Sequence, residues 1–249
     1  FTLILGGILF ACQVYSDFSG YSDIAIGVGK LFGFKLMTNF RVPMISKSIP
    51  EFWSKWHISM TTWFADYMFK PMVRQVKHSP LLSFLCVIFL FMTIGFWHGA
   101  NWTFIVFGLI NGLLFIPAAL RRTSPAVASF LDSLYATKFL TAIMILGTFV
   151  INGFTSIFFR APDIQAAIGY VVNMFFYAPY SLPSRDVLEI FFLWIVPYMI
   201  WEGFMRKHEH QLDIAHFPRW LRWSIYYFLV ALIIMVGNFG KPPFIYFQF

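Results

Sequence analysis

Charge is scarce in this sequence. Lysine, arginine, aspartate and glutamate make up 12% of the 249 residues, about half the share usual in soluble domains, while 59% are hydrophobic. That balance excludes an ordinary water-soluble domain and leaves a polytopic membrane protein. Cysteine is also rare. Cys12 and Cys86 both lie inside apolar runs, so they read as packing residues, with no disulfide framework and no cysteine metal motif. Strands of about ten residues alternating polar and apolar are missing, which argues against a β-barrel. No HExxH, GxSxG, phosphate-binding glycine loop or dinucleotide fingerprint occurs. A metalloprotease, a serine hydrolase and a nucleotide-driven machine therefore have no support.

Aromatic residues are abundant: 33 Phe, 11 Tyr and 9 Trp. Such density suits lipid-facing helices and interfacial belts. Five windows, about 81–97, 102–120, 139–159, 187–205 and 220–237, are apolar and long enough to span, since a bilayer core needs about 20 helical residues. Phe1 to Tyr15 reads as the end of a sixth span. The sequence opens inside an apolar run with no initiator Met and no basic n-region, so a signal peptide is not expected. The expectation is one membrane-embedded domain over 1–249 that lacks N-terminal helices. The fold class expected is all-α, with five to six transmembrane helices plus interfacial or re-entrant ones.

Net charge is +7. The basic residues sit between spans, so they speak for orientation and not for a nucleic-acid partner. Segment 35–80 holds Lys35, Arg41, Lys47, Lys55, Lys70, Arg74 and Lys77; loop 121–138 adds Arg121, Arg122 and Lys138; loop 206–219 adds Arg206, Lys207 and Arg219. The opposite side holds Arg160, Arg185 and Lys241. The positive-inside rule makes the first side cytoplasmic and turns the segment His98–Asn101 outward.

Residues 16–80 are apolar yet rich in Ser, Gly, Asp and Lys. The run Ser16 to Asp23 is expected to break the first span. A short segment, Ile24 to Phe34, then follows with Gly27, Gly29 and Gly33, a spacing that permits close helix contact; Asp17 and Asp23 are candidate caps for it. Ser48, Pro50 and Glu51 read as a helix start, with Ser48 capping and Glu51 reaching back. The helix expected there carries Trp53, Trp56, His57, Met60, Phe64 and Tyr67 on one face. It is too polar to cross a bilayer and suits the interface.

The most telling stretch is Ile94-Gly-Phe-Trp-His-Gly-Ala-Asn-Trp-Thr-Phe104. It places His98 between two apolar runs, where an ionisable group is costly and commonly functional. The remaining histidines, His78, His208, His210 and His216, lie in hydrophilic loops and form no metal pattern, so no metal is expected. Without a metal or a side-chain nucleophile, an imidazole can serve as general base for a hydroxyl attacking a thioester. Neutral imidazole suits that role, and burial favours the neutral form.

Five ordered motifs resemble one family. They are Tyr15-Ser-Asp-Phe-Ser-Gly-Tyr-Ser-Asp23, Glu51-Phe-Trp-Ser-Lys-Trp-His-Ile-Ser59, Gly95-Phe-Trp-His-Gly-Ala-Asn-Trp-Thr103, Phe154-Thr-Ser-Ile-Phe-Phe-Arg-Ala-Pro162 and Pro243-Phe-Ile-Tyr-Phe-Gln-Phe249. They are similar to the membrane-bound O-acyltransferases, most of all to the bacterial branch acting on alginate and teichoic acids. The resemblance implies a multi-helix fold with a central tunnel in the bacterial cytoplasmic (inner) membrane. It implies two catalytic histidines: a near-invariant one at His98, the base, and a second family histidine at His57, its partner in polarising or positioning. Asn101, Trp97 and Trp53 are candidates for the substrate pocket wall. No bound cofactor is implied; the co-substrate is an acyl thioester of coenzyme A or an acyl carrier protein. The partners implied are that donor, membrane lipid, a polysaccharide acceptor and an extracytoplasmic acetyltransferase-like protein. Acetyl transfer leads, D-alanyl transfer to teichoic acid is the nearest alternative, and a non-catalytic scaffold or transporter part is the alternative of another class. Transporters commonly show inverted repeats or paired broken helices, and neither is visible here. Both rings are expected to open on one shared cavity.

Overall fold

Helix α1, Thr2–Leu31, runs thirty residues without interruption and sets the frame of the molecule. A computed structural model describes residues 2–76, 79–177, 182–208, 210, 213–237, 239 and 240. Lys77, His78, Glu209, Leu212, Lys241 and the motif Pro243 to Phe249 lie outside the described residues. After α1 come two short helices, α2 (Ile49–Lys55) and α3 (Ile58–Phe64), then a π-helical turn at Ala65–Phe69 and α4 (Lys70–Val76). The hairpin of α5 (Pro80–His98) and α6 (Trp102–Leu113) follows, with α6 continuing after a short break as α7 (Ile116–Thr123). Helix α8 (Pro125–Ser133) leads into α9 (Lys138–Arg160) and α10 (Ile164–Val172). The last part holds α11 (Arg185–Ile190), which passes through a π-helical turn into α12 (Val196–Met205), and α13 (Arg219–Val236).

Among the described residues there is no strand, and six helices are long and apolar enough to cross a membrane. The protein is an all-α, multi-pass membrane protein. All five apolar windows are helical within a few residues of their expected ends.

The expected break at Ser16 to Asp23 is absent. The polar residues there fall around the helix by face. Tyr15, Ser19, Ser22 and Ile26 are buried at spacings of four, three and four, while Ser16, Gly20, Tyr21 and Asp23 are exposed. A helix keeps every backbone group satisfied inside the bilayer, so the polar cluster decorates α1 and does not end it. Asp17 and Asp23 lie mid-helix and cap nothing.

The single amphipathic helix expected after Ser48 is also corrected. Its start is as expected, with the Ser48 hydroxyl accepting from the Glu51 N–H, although Glu51 reaches back to the Lys47 N–H. It stops at Lys55 and restarts at Ile58. The backbone groups left at the break are taken by a distant strap: Arg41 N–H donates to the Lys55 carbonyl and Ile58 N–H to the Asn39 carbonyl. The Asn39 side chain accepts from both the N–H and the hydroxyl of Ser59. Orphaned donors and acceptors at a helix end need such partners, and these come from tertiary structure.

Helices α5 and α6 meet almost backbone to backbone. A Cβ on Gly95 would lie 2.1 Å from the Phe104 carbonyl oxygen, and one on Gly108 would lie 2.2 Å from that of Phe91. Small residues at a crossing are what allow membrane helices to gain van der Waals contact. The main apolar core gathers Cys12 and Tyr15 of α1, Phe52 and Trp53 of α2, Phe91 and Ile94 of α5 and Phe149 of α9. Helix α12 joins it through a polar contact, the Tyr15 hydroxyl donating to the fully buried carboxylate of Glu202. Tyr198, one turn earlier on α12, lies over the Tyr15 ring with centroids 6.1 Å apart.

Candidate active site

His57 sits at the hinge between α2 and α3, with φ +45° and ψ +55°. Few side-chain-bearing residues adopt this left-handed region, though His does so more readily than most. The twist turns the ring inward, where only 8% of the residue is exposed. Phe18 of α1 meets it edge-on at 4.7 Å, and the Ser59 hydroxyl lies 3.4 Å from Nδ1. Burial holds its pKa at about 4, so the imidazole is neutral at physiological pH.

His98 is the last residue of α5. Its ring is packed by Trp97 and Phe159, each with centroids 5.0 Å away, and by Phe104 at 6.5 Å. It faces a small cavity of about 50 Å3 lined also by Phe10, Trp53, Trp56, Asn152, Thr155 and Ser156. The last three were not anticipated. They recur at helical spacing in α9 within an otherwise apolar span, and Thr148 continues the same pattern one turn earlier. That spacing, which puts them on one face, was the available signal.

The two histidines do not open on one cavity. His57 faces a separate space of about 770 Å3 lined by Ser59, Trp63, Thr93, Phe96 and Trp97. The Trp97 indole packs against both rings, with centroids 6.3 Å from His57 and 5.0 Å from His98. Trp97 thus belongs to the His57 side and is 56% exposed. Trp53 is buried on the His98 side, its Nε1–H donating to the Asn111 Oδ1 at 3.1 Å. Asn101 caps α6 by accepting from the Thr103 N–H, and its amide donates to the Pro162 carbonyl at 2.8 Å. It fastens the α5–α6 turn to the end of α9 and lines the rim of a third cavity.

That third cavity, about 910 Å3, opens at the end of the molecule where α5 and α9 finish and α1 begins, and Phe10 and Phe159 separate it from the His98 cavity. At the opposite end lies a cleft of about 700 Å3 lined by Lys47, Lys55, Lys138, Arg206, Lys207 and one acid, Glu51. Burial raises the Glu51 carboxyl, but the Lys55 ammonium at 2.6 Å and the Lys47 N–H outweigh it and hold the group below the usual range. The cleft is thus strongly cationic. Met44 and Phe52 line the His98 cavity, while their neighbours Ile45 and Glu51 line the cleft, so one thin wall separates the two. The order from the basic end is cationic cleft, histidine cavity, wide cavity.

Among the described residues no group of three or more His, Cys, Asp or Glu could hold a metal ion. The chemistry available at His98 is proton transfer beside a narrow apolar space.

Comparison with known proteins yields a consistent set of relatives. The sequence profile of the membrane-bound O-acyltransferase family matches residues 1–160. A protein of Azotobacter vinelandii named "Probable alginate O-acetylase AlgI" is 35% identical over 187 residues, 75% of this chain and 35% of the relative. The peptidoglycan O-acetyltransferase of Helicobacter pylori is 35% identical over 166 residues, 66% of this chain and 30% of the relative. The teichoic acid D-alanyltransferase of Bacillus subtilis is 36% identical over 121 residues, 45% of this chain and 31% of the relative. The chain spans about a third of the length of these curated relatives.

Proposed function

The chain belongs to the membrane-bound O-acyltransferase family, and from that premise we propose that it carries the catalytic part of an enzyme of the bacterial cytoplasmic membrane. The enzyme moves an acetyl group from a cytoplasmic thioester to a hydroxyl of an envelope polysaccharide or of an extracytoplasmic relay protein. The observation that carries this reading is the position of His98. Its ring stands in a narrow cavity between a cationic cleft at one end and a wide cavity at the other.

His98 acts as the general base. It takes the proton from the acceptor hydroxyl as the oxygen attacks the thioester carbonyl carbon. The C–O bond forms, the C–S bond breaks, and the imidazolium returns its proton to the departing thiolate. Holding both reactants in a narrow site supplies much of the rate, because oriented reactants reach effective molarities of about 10⁵ M or more. His57, neutral and hydrogen-bonded near Ser59, positions the site through Trp97. The cationic cleft suits the phosphates of coenzyme A or the acidic surface of an acyl carrier protein.

Acetyl is favoured over D-alanyl by the extent of likeness. The matches to proteins named for O-acetylation cover 75% and 66% of this chain, that to the D-alanyltransferase 45%. The test replaces His98 with Ala in the full-length protein and measures O-acetyl on extracted envelope polysaccharide. Loss of about 10²-fold or more is expected for a missing general base. Undiminished acetylation at normal protein level rejects the reading.

A further inference from the structure

The hinge at His57 carries a chain of hydrogen bonds whose direction can be read proton by proton. Asn39 Oδ1 accepts from the Ser59 N–H at 3.2 Å. A backbone N–H can only donate, so this contact fixes which end of the Asn39 amide is oxygen. The amide nitrogen, at the other end, donates to the Ser22 hydroxyl on α1 at 3.4 Å. Ser59 Oγ lies 2.6 Å from the same Asn39 Oδ1. Two oxygens this close need a proton between them, and an amide oxygen brings none. The one hydroxyl proton of Ser59 is therefore spent on Asn39. Ser59 Oγ also lies 3.4 Å from His57 Nδ1, and toward that nitrogen it can only accept. Nδ1 thus holds the ring proton. The imidazole is neutral, because burial holds its pKa at about 4, so Nε2 is left bare. In a neutral imidazole the hydrogen bond made by one nitrogen decides the state of the other.

The hinge does not need this chain to stay closed. The groups exposed by the break at Lys55 and Ile58 are already taken by the Arg41 N–H and the Asn39 carbonyl. Capping the start of α3 explains why Asn39 accepts from the Ser59 N–H. It does not explain why the same oxygen also takes the Ser59 proton beside a histidine. His57 and Ser59 both line the space of about 770 Å3 shared with Trp97, so the bare nitrogen belongs to a residue on the wall of a cavity.

We propose that Asn39 and Ser59 are positioning residues that lock His57 in the Nδ1–H tautomer, leaving Nε2 to accept a hydrogen bond from a hydroxyl of the acyl acceptor. This deepens the acyl-transfer reading and rests on it. It also decides between two roles for His57. A bare nitrogen has no proton to give to a thioester carbonyl, so the neutral ring orients a hydroxyl and does not polarise the donor.

The test uses the full-length protein in lipid nanodiscs with nitrogen-15 histidine, at neutral pH. The signals of His57 are identified by their loss in His57→Gln, and one-bond coupling to hydrogen shows which ring nitrogen is protonated. The unmodified protein is expected to show a protonated Nδ1 and a bare Nε2. Ser59→Ala removes one oxygen and spares every backbone bond of the hinge. It is expected to move most of the population to the Nε2–H form, the ordinary preference of an unconstrained side chain, and to lower kcat by up to about 10²-fold. Asn39→Leu is expected to shift the tautomer in the same way. Asn39→Asp keeps the accepting oxygen and is expected to keep the Nδ1–H form. A protonated Nε2 in the unmodified protein overturns the proposal. So does a tautomer that Ser59→Ala leaves in place, which marks the chain as a helix cap alone, or a shifted tautomer with kcat unchanged. The tautomer does not depend on turnover, so the two readings separate. A locked Nδ1–H form in a protein that transfers no acyl group sustains the lock and removes the acyl-transfer reading, whereas transfer by a protein with Nε2 protonated does the reverse.

Discussion

Helices α1 and α13 pass the same hydropathy test for a membrane span, yet 44% of the apolar stretch of α1 is buried inside the protein and none of that of α13. Apolar content therefore decides that a helix enters a membrane and says little about what it touches there. In lipid, leucine gains nothing by leaving one hydrocarbon for another, so association depends on close packing and polar contacts. Helix α1 has both, with Gly7, Ala11, Ser19 and Ser22 on its buried face and Tyr15 holding Glu202. Helix α13 presents bulky side chains instead, among them Trp220, Tyr227, Phe228, Ile233 and Ile234, all exposed. Helix α12 is intermediate. Little of the Arg185–Met205 span is buried, and Glu202 and Met205 are its buried residues.

This contrast can be broken at its strongest point by Gly108→Ala. The new Cβ would meet the Phe91 carbonyl oxygen at 2.2 Å, and backbone cannot step aside. A loss of about 4 kcal/mol or more is expected, read as collapse of thermal stability in detergent and early proteolysis of the α5–α6 hairpin. An unchanged melting profile would mean that the two helices do not pack this closely.

Acid sharpens the same contrast. His57 has its pKa lowered to about 4 by burial, against about 6.5 in the unfolded chain. Between those values the unfolded state binds more protons, so stability rises with pH. The contribution of His57 is complete above about pH 6.5 and is lost on going down to about 4, roughly 3 kcal/mol in all. Thermal unfolding followed across this window should show the loss, and His57→Phe should lessen it. A slope unchanged in His57→Phe assigns the effect elsewhere.

The opposite end of the comparison is Ile234→Ala on α13. The residue is 67% exposed, so the expected change is within about 0.5 kcal/mol in the same melting assay. A loss of 2 kcal/mol or more, the scale of a core truncation, would place this face of α13 in a packed interface.

Much of the fold was legible in advance. The five apolar windows became helices because hydropathy and length are local properties, and a bilayer leaves few alternatives to a helix. His98 stood out for the same reason, as an ionisable residue among apolar ones. The failures share a cause. Ser16 to Asp23 was read as a break because its polarity was counted along the chain, whereas burial sorted those residues by face. The hinge at His57 was missed because Asn39 and Arg41, which satisfy the broken backbone, come from a segment with no recognisable pattern. Asn152, Thr155 and Ser156 were passed over although their spacing placed them on one side of α9.

Composition and periodicity settled the class of protein, the spans, the charged end and the residue most worth testing, since each follows from short stretches of chain and the solvent around them. Tertiary packing settled which helices touch, that Trp97 packs against both histidines, and that Arg160 lies over Phe10 at the wide cavity beside the start of α1. Those arrangements need side chains from helices far apart in the chain, and no local pattern encodes the contact between them.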